Sequence, residues 1–222
     1  IEHQMLHFLE NHDEQRIACP EFLGNAEKAK PGMVVSATIS TSPTMIYFGQ
    51  EVGEPAAESP GFGSPSRTSI FDYVGVPHFQ RWVNNKKFDG GQLSPKEKEL
   101  RTFYKNLLNF TINSSALKGK YKDIHFYNKD HTEYYNHRVL SFVRWSKNEK
   151  LIIISNFDAG QTFGFDLKLP REIIREWGLQ NSTYLFKDAL FKEKELSLNV
   201  DNEIGHIRID IQPLESLILS LN

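Results

Sequence analysis

The spacing of hydrophobic and polar positions changes character near residues 115–122. Upstream, a short apolar run at residues 6–9 ends at once in Glu10-Asn11-His12-Asp13-Glu14. A second run, Thr44-Met45-Ile46-Tyr47-Phe48-Gly49, ends in Gln50-Glu51-Val52-Gly53-Glu54. Residues 30–40 between them are apolar nearly all round, with Pro31 suited to a first turn, which predicts a largely buried helix. Strand, polar loop, helix, strand, polar loop is the rhythm of a parallel βαβ unit, where sites form past the strand C-termini. Residues 55–65, rich in Pro, Gly, Ser and Ala, read as a long surface loop. Residues 67–83, with Phe71-Asp72-Tyr73 and Arg81-Trp82, are aromatic and expected to be ordered. Ser94-Pro95-Lys96-Glu97 then opens a strong helix: Ser94 is the N-cap, Pro95 takes the first position and Glu97 completes a capping box. Leu100, Phe103, Tyr104, Leu107 and Leu108 follow at helical spacing.

Downstream the period shortens. Residues 139–145, 151–156, 162–169, 182–186, 195–200, 206–211 and 216–221 read as short strands, which predicts an antiparallel sandwich. In His206-Ile207-Arg208-Ile209-Asp210-Ile211 the isoleucines face one way and the polar residues the other. The predicted fold class is therefore α/β followed by all-β, with domains at residues 1–118 and 119–222.

Composition narrows the partners. The chain has 222 residues, 39% hydrophobic and 24% charged, and 26 Lys+Arg against 28 Asp+Glu give a net charge of -2. Interspersed, near-balanced charge argues against nucleic acid or an anionic membrane and favours a neutral polar ligand. The apolar runs fall far short of the roughly 20 residues that a membrane-spanning helix needs. The single cysteine, Cys19, excludes an intramolecular disulfide and is expected to be a small buried side chain.

Three groups of residues carry candidate chemistry. Asn11-His12-Asp13 places an imidazole and a carboxylate just past a strand; they read either as an acid/base or hydroxyl-binding pair, or as an ordinary turn. Glu51 and Glu54 are paired carboxylates at the end of the next strand. His125, His131 and His137 lie among Tyr127, Tyr134 and Tyr135, but no Cys or carboxylate cluster accompanies them as metal ligation would want. Gly61-Phe62-Gly63 lacks the Lys-Ser/Thr of a phosphate loop. Phe62, Phe71, Tyr73, Phe79 and Trp82 are either sugar-stacking faces or core.

Phe8-Leu9-Glu10-Asn11-His12-Asp13 resembles the signature after the seventh barrel strand of the α-amylase superfamily of retaining glycoside hydrolases. Ser42-Pro43-Thr44-Met45-Ile46-Tyr47-Phe48-Gly49-Gln50-Glu51-Val52-Gly53 resembles the eighth strand and its outgoing loop in that family. The resemblance implies the last strands and helices of an incomplete (β/α)8 barrel followed by a C-terminal antiparallel β-sandwich. It implies that Asp13 is the carboxylate that stabilises the transition state without covalent attachment, with His12 donating to hydroxyls of the same sugar. Arg16 is expected either to contact sugar, to orient a carboxylate or to be solvated, and Glu51 to hold the loop. The implied substrate is an α-glucan or oligosaccharide. Calcium occurs in relatives, but no oxygen-rich ligand spacing is readable here and no cofactor is predicted.

A retaining glycosidase also needs a nucleophile and a general acid about 5–5.5 Å apart. No Gly-x-Arg-x-Asp motif occurs in the chain, and a whole barrel takes about 250 residues. The chain is thus expected to be a C-terminal piece, inactive alone, whose open strand edges pair with the missing N-terminal barrel segment or with a second copy. The competing reading is a non-catalytic carbohydrate-binding or accessory β-sandwich module.

Overall fold

A computed structural model describes residues 5–56, 67–68, 75–191 and 194–221. Most of the Pro/Gly-rich loop, Gly61-Phe62-Gly63, Phe71 and Tyr73 lie outside the described residues. The chain resolves into two compact units, residues 1–37 with 42–108 and residues 38–41 with 109–222.

In the N-terminal unit the two strands expected at residues 6–9 and 44–49 are reduced to one bridged residue pair. His7 and Thr44 form an isolated parallel bridge; His7 N donates to Pro43 O at 2.9 Å and Met45 N to His7 O at 2.8 Å. Helix α1 (Lys30–Thr38) lies between them in sequence and buries Met33 and Val34 completely. Helix α2 (Pro77–Val83) ends at Asn84 in the left-handed region, with φ 46°. Helix α3 (Pro95–Asn113) opens with the expected capping box: Ser94 N donates to Glu97 Oε2 at 2.7 Å, and Glu97 N donates to Ser94 Oγ at 3.3 Å. Such a box satisfies amides that the first helical turn leaves without partners. Leu100, Phe103, Tyr104 and Leu107 form the buried stripe of this helix.

The C-terminal unit is one antiparallel sheet of eight strands. They are β1 (Lys120–Asp123), β2 (Val139–Trp145), β3 (Lys150–Asn156), β4 (Phe163–Leu169), β5 (Ser182–Asp188), β6 (Glu195–Asp201), β7 (Ile204–Ile211) and β8 (Ser216–Leu221). Their order is β1-β2-β3-β8-β5-β6-β7-β4. The sequence reading expects two facing sheets; instead Lys187 and Asp188 at the end of β5 pair with Ser220 and Leu219 of β8 and join both halves into a single ladder. Val143 on β2, Ile152 on β3, Phe165 on β4 and Ile209 on β7 nonetheless share one core, so the sheet curls on itself. β1 adds a strand the apolar pattern did not mark, because Lys-Tyr-Lys-Asp has no buried face.

Helices α4 (His125–His131) and α5 (Arg171–Glu176) complete this unit. The side chain of Asn128 on α4 substitutes for a strand at the free edge of β4. Its Nδ2 donates to Ile124 O and Lys168 O, both at 2.9 Å, and its Oδ1 accepts from Lys168 N and the Thr132 hydroxyl, both at 2.8 Å. All four hydrogen-bonding positions of the amide are used. Tyr135 bridges the curl from the other side: its hydroxyl meets Ser141 Oγ of β2 at 2.8 Å while its ring lies edge-on to Phe165 of β4 at 5.1 Å. Gly119 enters β1 so close to β2 that an added Cβ would lie 2.0 Å from Trp145 O, leaving no room for a side chain. Arg144, buried on β2, donates to the carbonyls of Thr38, Leu117 and Gly119. Among the described residues no helix is long and apolar enough to cross a membrane.

Candidate functional site

The polar stretch after residues 6–9 divides into buried ends and an exposed middle. Asn11 Oδ1 accepts from Asp13 N at 2.8 Å and from Glu14 N at 2.9 Å, a side-chain-closed turn of the kind Asn favours. The turn carries His12 and Asp13 outward, with side chains 54% and 74% exposed and His12 Nε2 3.4 Å from Asp13 Oδ2. An imidazole and a carboxylate this close present a donor and an acceptor together, the complement of adjacent sugar hydroxyls.

Arg16, for which sugar contact, orientation of a carboxylate and a solvated position are the expected alternatives, lies inside the protein against a carboxylate. It is 0% exposed, and its contacts are with the protein. Nη1 donates to Glu10 Oε1 and to Phe48 O, both at 2.8 Å, and Nε donates to Thr68 Oγ1 at 3.1 Å. The guanidinium carbon sits 4.4 Å from the Tyr47 ring centre and 4.9 Å from that of Phe48, a cation–π arrangement that Arg supports better than a compact ammonium. Glu10, 1% exposed, also accepts from Ile17 N at 2.7 Å. Burial pushes the Glu10 carboxyl above the ordinary carboxylate range while Arg16 pulls it back. Sequence reasoning missed Glu10 because a charged residue right after a strand reads as solvated; its only signal was a cation six residues on, with aromatic Tyr47-Phe48 available to cover both.

The exit of the second strand is built from side chains as much as backbone. Gly49, at φ 85°, turns the chain into the 3₁₀ turn Gln50–Val52; a Cβ there would lie 2.9 Å from Glu54 Cβ. Gln50 is buried and donates to Tyr104 Oη at 3.1 Å and Met33 Sδ at 3.5 Å. The paired glutamates serve different ends. Glu54 is buried and accepts from His78 N at 2.9 Å and Phe79 N at 3.1 Å, so it caps the N-terminus of α2. Glu51 is half-buried, and burial pushes its carboxyl upward despite Arg101 and Arg16. Arg16 Nη2 and Glu51 Oε2 are both buried without a hydrogen-bond partner.

The remaining candidates disperse. His125 and His131 lie on α4; His125 Nδ1 is 3.1 Å from Tyr135 Oη, and His131 stacks on Tyr127 with its Nδ1 2.8 Å from Tyr127 O. Among the described residues no three His, Cys, Asp or Glu side chains converge as a metal site requires. Phe79 and Trp82 stack on each other at 5.7 Å. Cys19 is fully buried, which raises its thiol above the usual range.

No protein-family model matches the chain, and no curated protein matches it by sequence. Solved structures do match its fold. The chain is similar to the maltogenic α-amylase AmyB from Thermotoga neapolitana at TM-score 0.64 and 19% identity, covering 98% of this chain and 41% of that one. It is similar to AmyP in complex with maltose at TM-score 0.61 and 21% identity, covering 98% and 40%. It is also similar to the α-amylase of Geobacillus thermoleovorans complexed with acarbose, at 0.62 and 13%, covering 99% and 39%. This chain spans about two fifths of the length of each of them. Over nearly its whole length it therefore has the fold of a part of α-amylase-type glycoside hydrolases.

Proposed function

We propose that this chain is the C-terminal part of an α-amylase-type retaining glycoside hydrolase acting on α-glucans or maltooligosaccharides. Residues 1–118 contribute the last strands and helices of its (β/α)8 barrel, and residues 119–222 its C-terminal β-domain. The observation that carries this reading is the exposed His12-Asp13 pair, held by Asn11 on the turn that follows the parallel bridge of His7 with Thr44. In the proposed reaction positive charge develops at the anomeric centre. An ionised Asp13 that accepts from sugar hydroxyls strengthens those contacts as the charge grows, and His12 donates to the same sugar. Arg16, being buried, is left out of the sugar contacts. The nucleophile and general acid come from chain preceding Ile1.

That preceding segment also covers the exposed apolar side chains of Met5, Leu6 and Phe8, which flank the bridge at His7. A second copy is the alternative occupant. Self-association visible by light scattering, and abolished by adding the upstream segment, is the outcome expected. The isolated chain assayed on maltooligosaccharides is expected to show no turnover; turnover that survives Asp13→Ala would overturn the reading.

One observation favours the accessory-module reading instead. An open cleft of about 690 Å³ in the C-terminal unit is lined by Phe110, Leu185 and Leu221 beside Lys187 and Glu195, within the size range of ligand pockets. That reading requires maltotriose affinity that survives Asp13→Ala and is lost in Leu185→Glu.

A further inference from the structure

We infer that Glu10, Arg16 and Thr68 are positioning residues that fix the His12-Asp13 turn relative to the exit of the neighbouring strand. The inference rests on the role proposed for Asp13. Its basis is geometric. Glu10 and Arg16 stand at the two ends of the turn, and the Glu10 carboxylate binds both Arg16 Nη1 and Ile17 N, closing residues 11–15 into a loop. Asn11 fixes the inner curve of that loop. The same guanidinium then references the loop to two other segments: Phe48 O with the rings of Tyr47 and Phe48, and Thr68 Oγ1. Tyr47 ties those two segments together, its hydroxyl donating to Thr68 O at 2.7 Å.

Stability alone is a poor reason for such a pair. Desolvating two charges offsets most of their attraction, and well-packed apolar replacements of buried ion pairs are often as stable or more so. What apolar packing does not supply is directional registry: three acceptors on one guanidinium define where the turn lies. Registry is what a transition-state carboxylate needs, because a misplacement of about 1 Å costs on the order of 10²-fold in rate.

A graded series tests this in the 222-residue chain: Thr68→Val removes one acceptor, Glu10→Gln replaces one acceptor by a donor, and Arg16→Lys loses the planar fork. The readout is the NMR order parameter of the Asp13 and Glu14 amides, with the Phe142 and Ile153 amides of the sheet as internal reference. The turn amides are expected to fall from about 0.85 towards 0.6 or below along the series while the sheet amides stay rigid. Thr68→Val is nearly isosteric and folds even where the charge variants do not, so it decides alone in that case. Turn amides as rigid as the wild type in every folded variant would overturn the inference. In the full-length enzyme the same variants are expected to lower kcat about tenfold or more with KM within a few-fold. If Asp13→Asn leaves kcat unchanged while the turn still loosens, the proposed role of Asp13 fails and the positioning geometry stands. If Asp13→Asn lowers kcat and the turn does not loosen, the reverse holds.

Discussion

In the C-terminal unit seven of the eight strands send Val, Ile, Leu or Phe into one core. The N-terminal unit has a single parallel bridge among its described residues and adds to buried apolar side chains such as Met33, Val34, Leu100 and Leu107 a set of buried polar groups: Glu10 with Arg16, Gln50 with Tyr104, Glu54 on α2, and Glu97 with Arg81 and His78. The contrast teaches how each unit should fail. Apolar cores lose stability in proportion to the volume removed. Charge-held structure fails sharply when one partner goes, because the other is left buried and unpaired.

The largest effect expected is for Arg16→Met, which strands the Glu10 carboxylate and should cost the N-terminal unit about 3–5 kcal/mol. Hydrogen exchange should quicken in peptides from residues 5–56 and not in 139–156; equal loss in both would erase the distinction between the units. The double change Glu10→Met with Arg16→Met should cost much less, since no charge is left behind. Next comes Asn128→Ala, which leaves Lys168 N and O without their partner and should cost about 1–3 kcal/mol in a urea titration, with lost protection at the Lys168 amide. Ile209→Val, a single methyl from a fully buried position, should cost only about 0.5–1.5 kcal/mol.

The smallest effect is pH-dependent. Burial alone would raise the Glu97 carboxyl, but the Arg81 guanidinium and Ser94 hold it below the ordinary glutamate value of 4.5. A carboxyl lower in the folded than in the unfolded state contributes stability above 4.5 that disappears as pH falls through its folded value. The pH dependence of α3 amide protection should therefore flatten below 4.5 in Glu97→Gln and be unchanged in Ile209→Val.

Legibility in the sequence follows the same contrast. Strands 139–145 and 216–221 have the same limits in the structure as in the apolar pattern, because both are short, mostly apolar runs that the structure buries along most of their length. The capping box at Ser94 and Glu97 was legible because its partners are three residues apart. Helices α2, α4 and α5, of seven, seven and six residues, are too short for a helical period to emerge. The single sheet was hidden because its continuity depends on two residue pairs between β5 and β8, not on any pattern within a strand. At the site, Asn11 was readable as a turn former. The burial of Arg16 was not: it depends on Glu10, Phe48 and Thr68, and Thr68 is 52 residues away.

The central proposal is that Asp13 stabilises a transition state, and steady-state kinetics of Asp13→Asn in the longer enzyme of which this chain is proposed to be a part test it most directly. The account predicts that kcat on maltooligosaccharides falls by on the order of 10²–10³-fold, with KM within a few-fold, since the interaction lost is one that strengthens only as charge develops. An unchanged kcat, or a loss confined to KM, would contradict it.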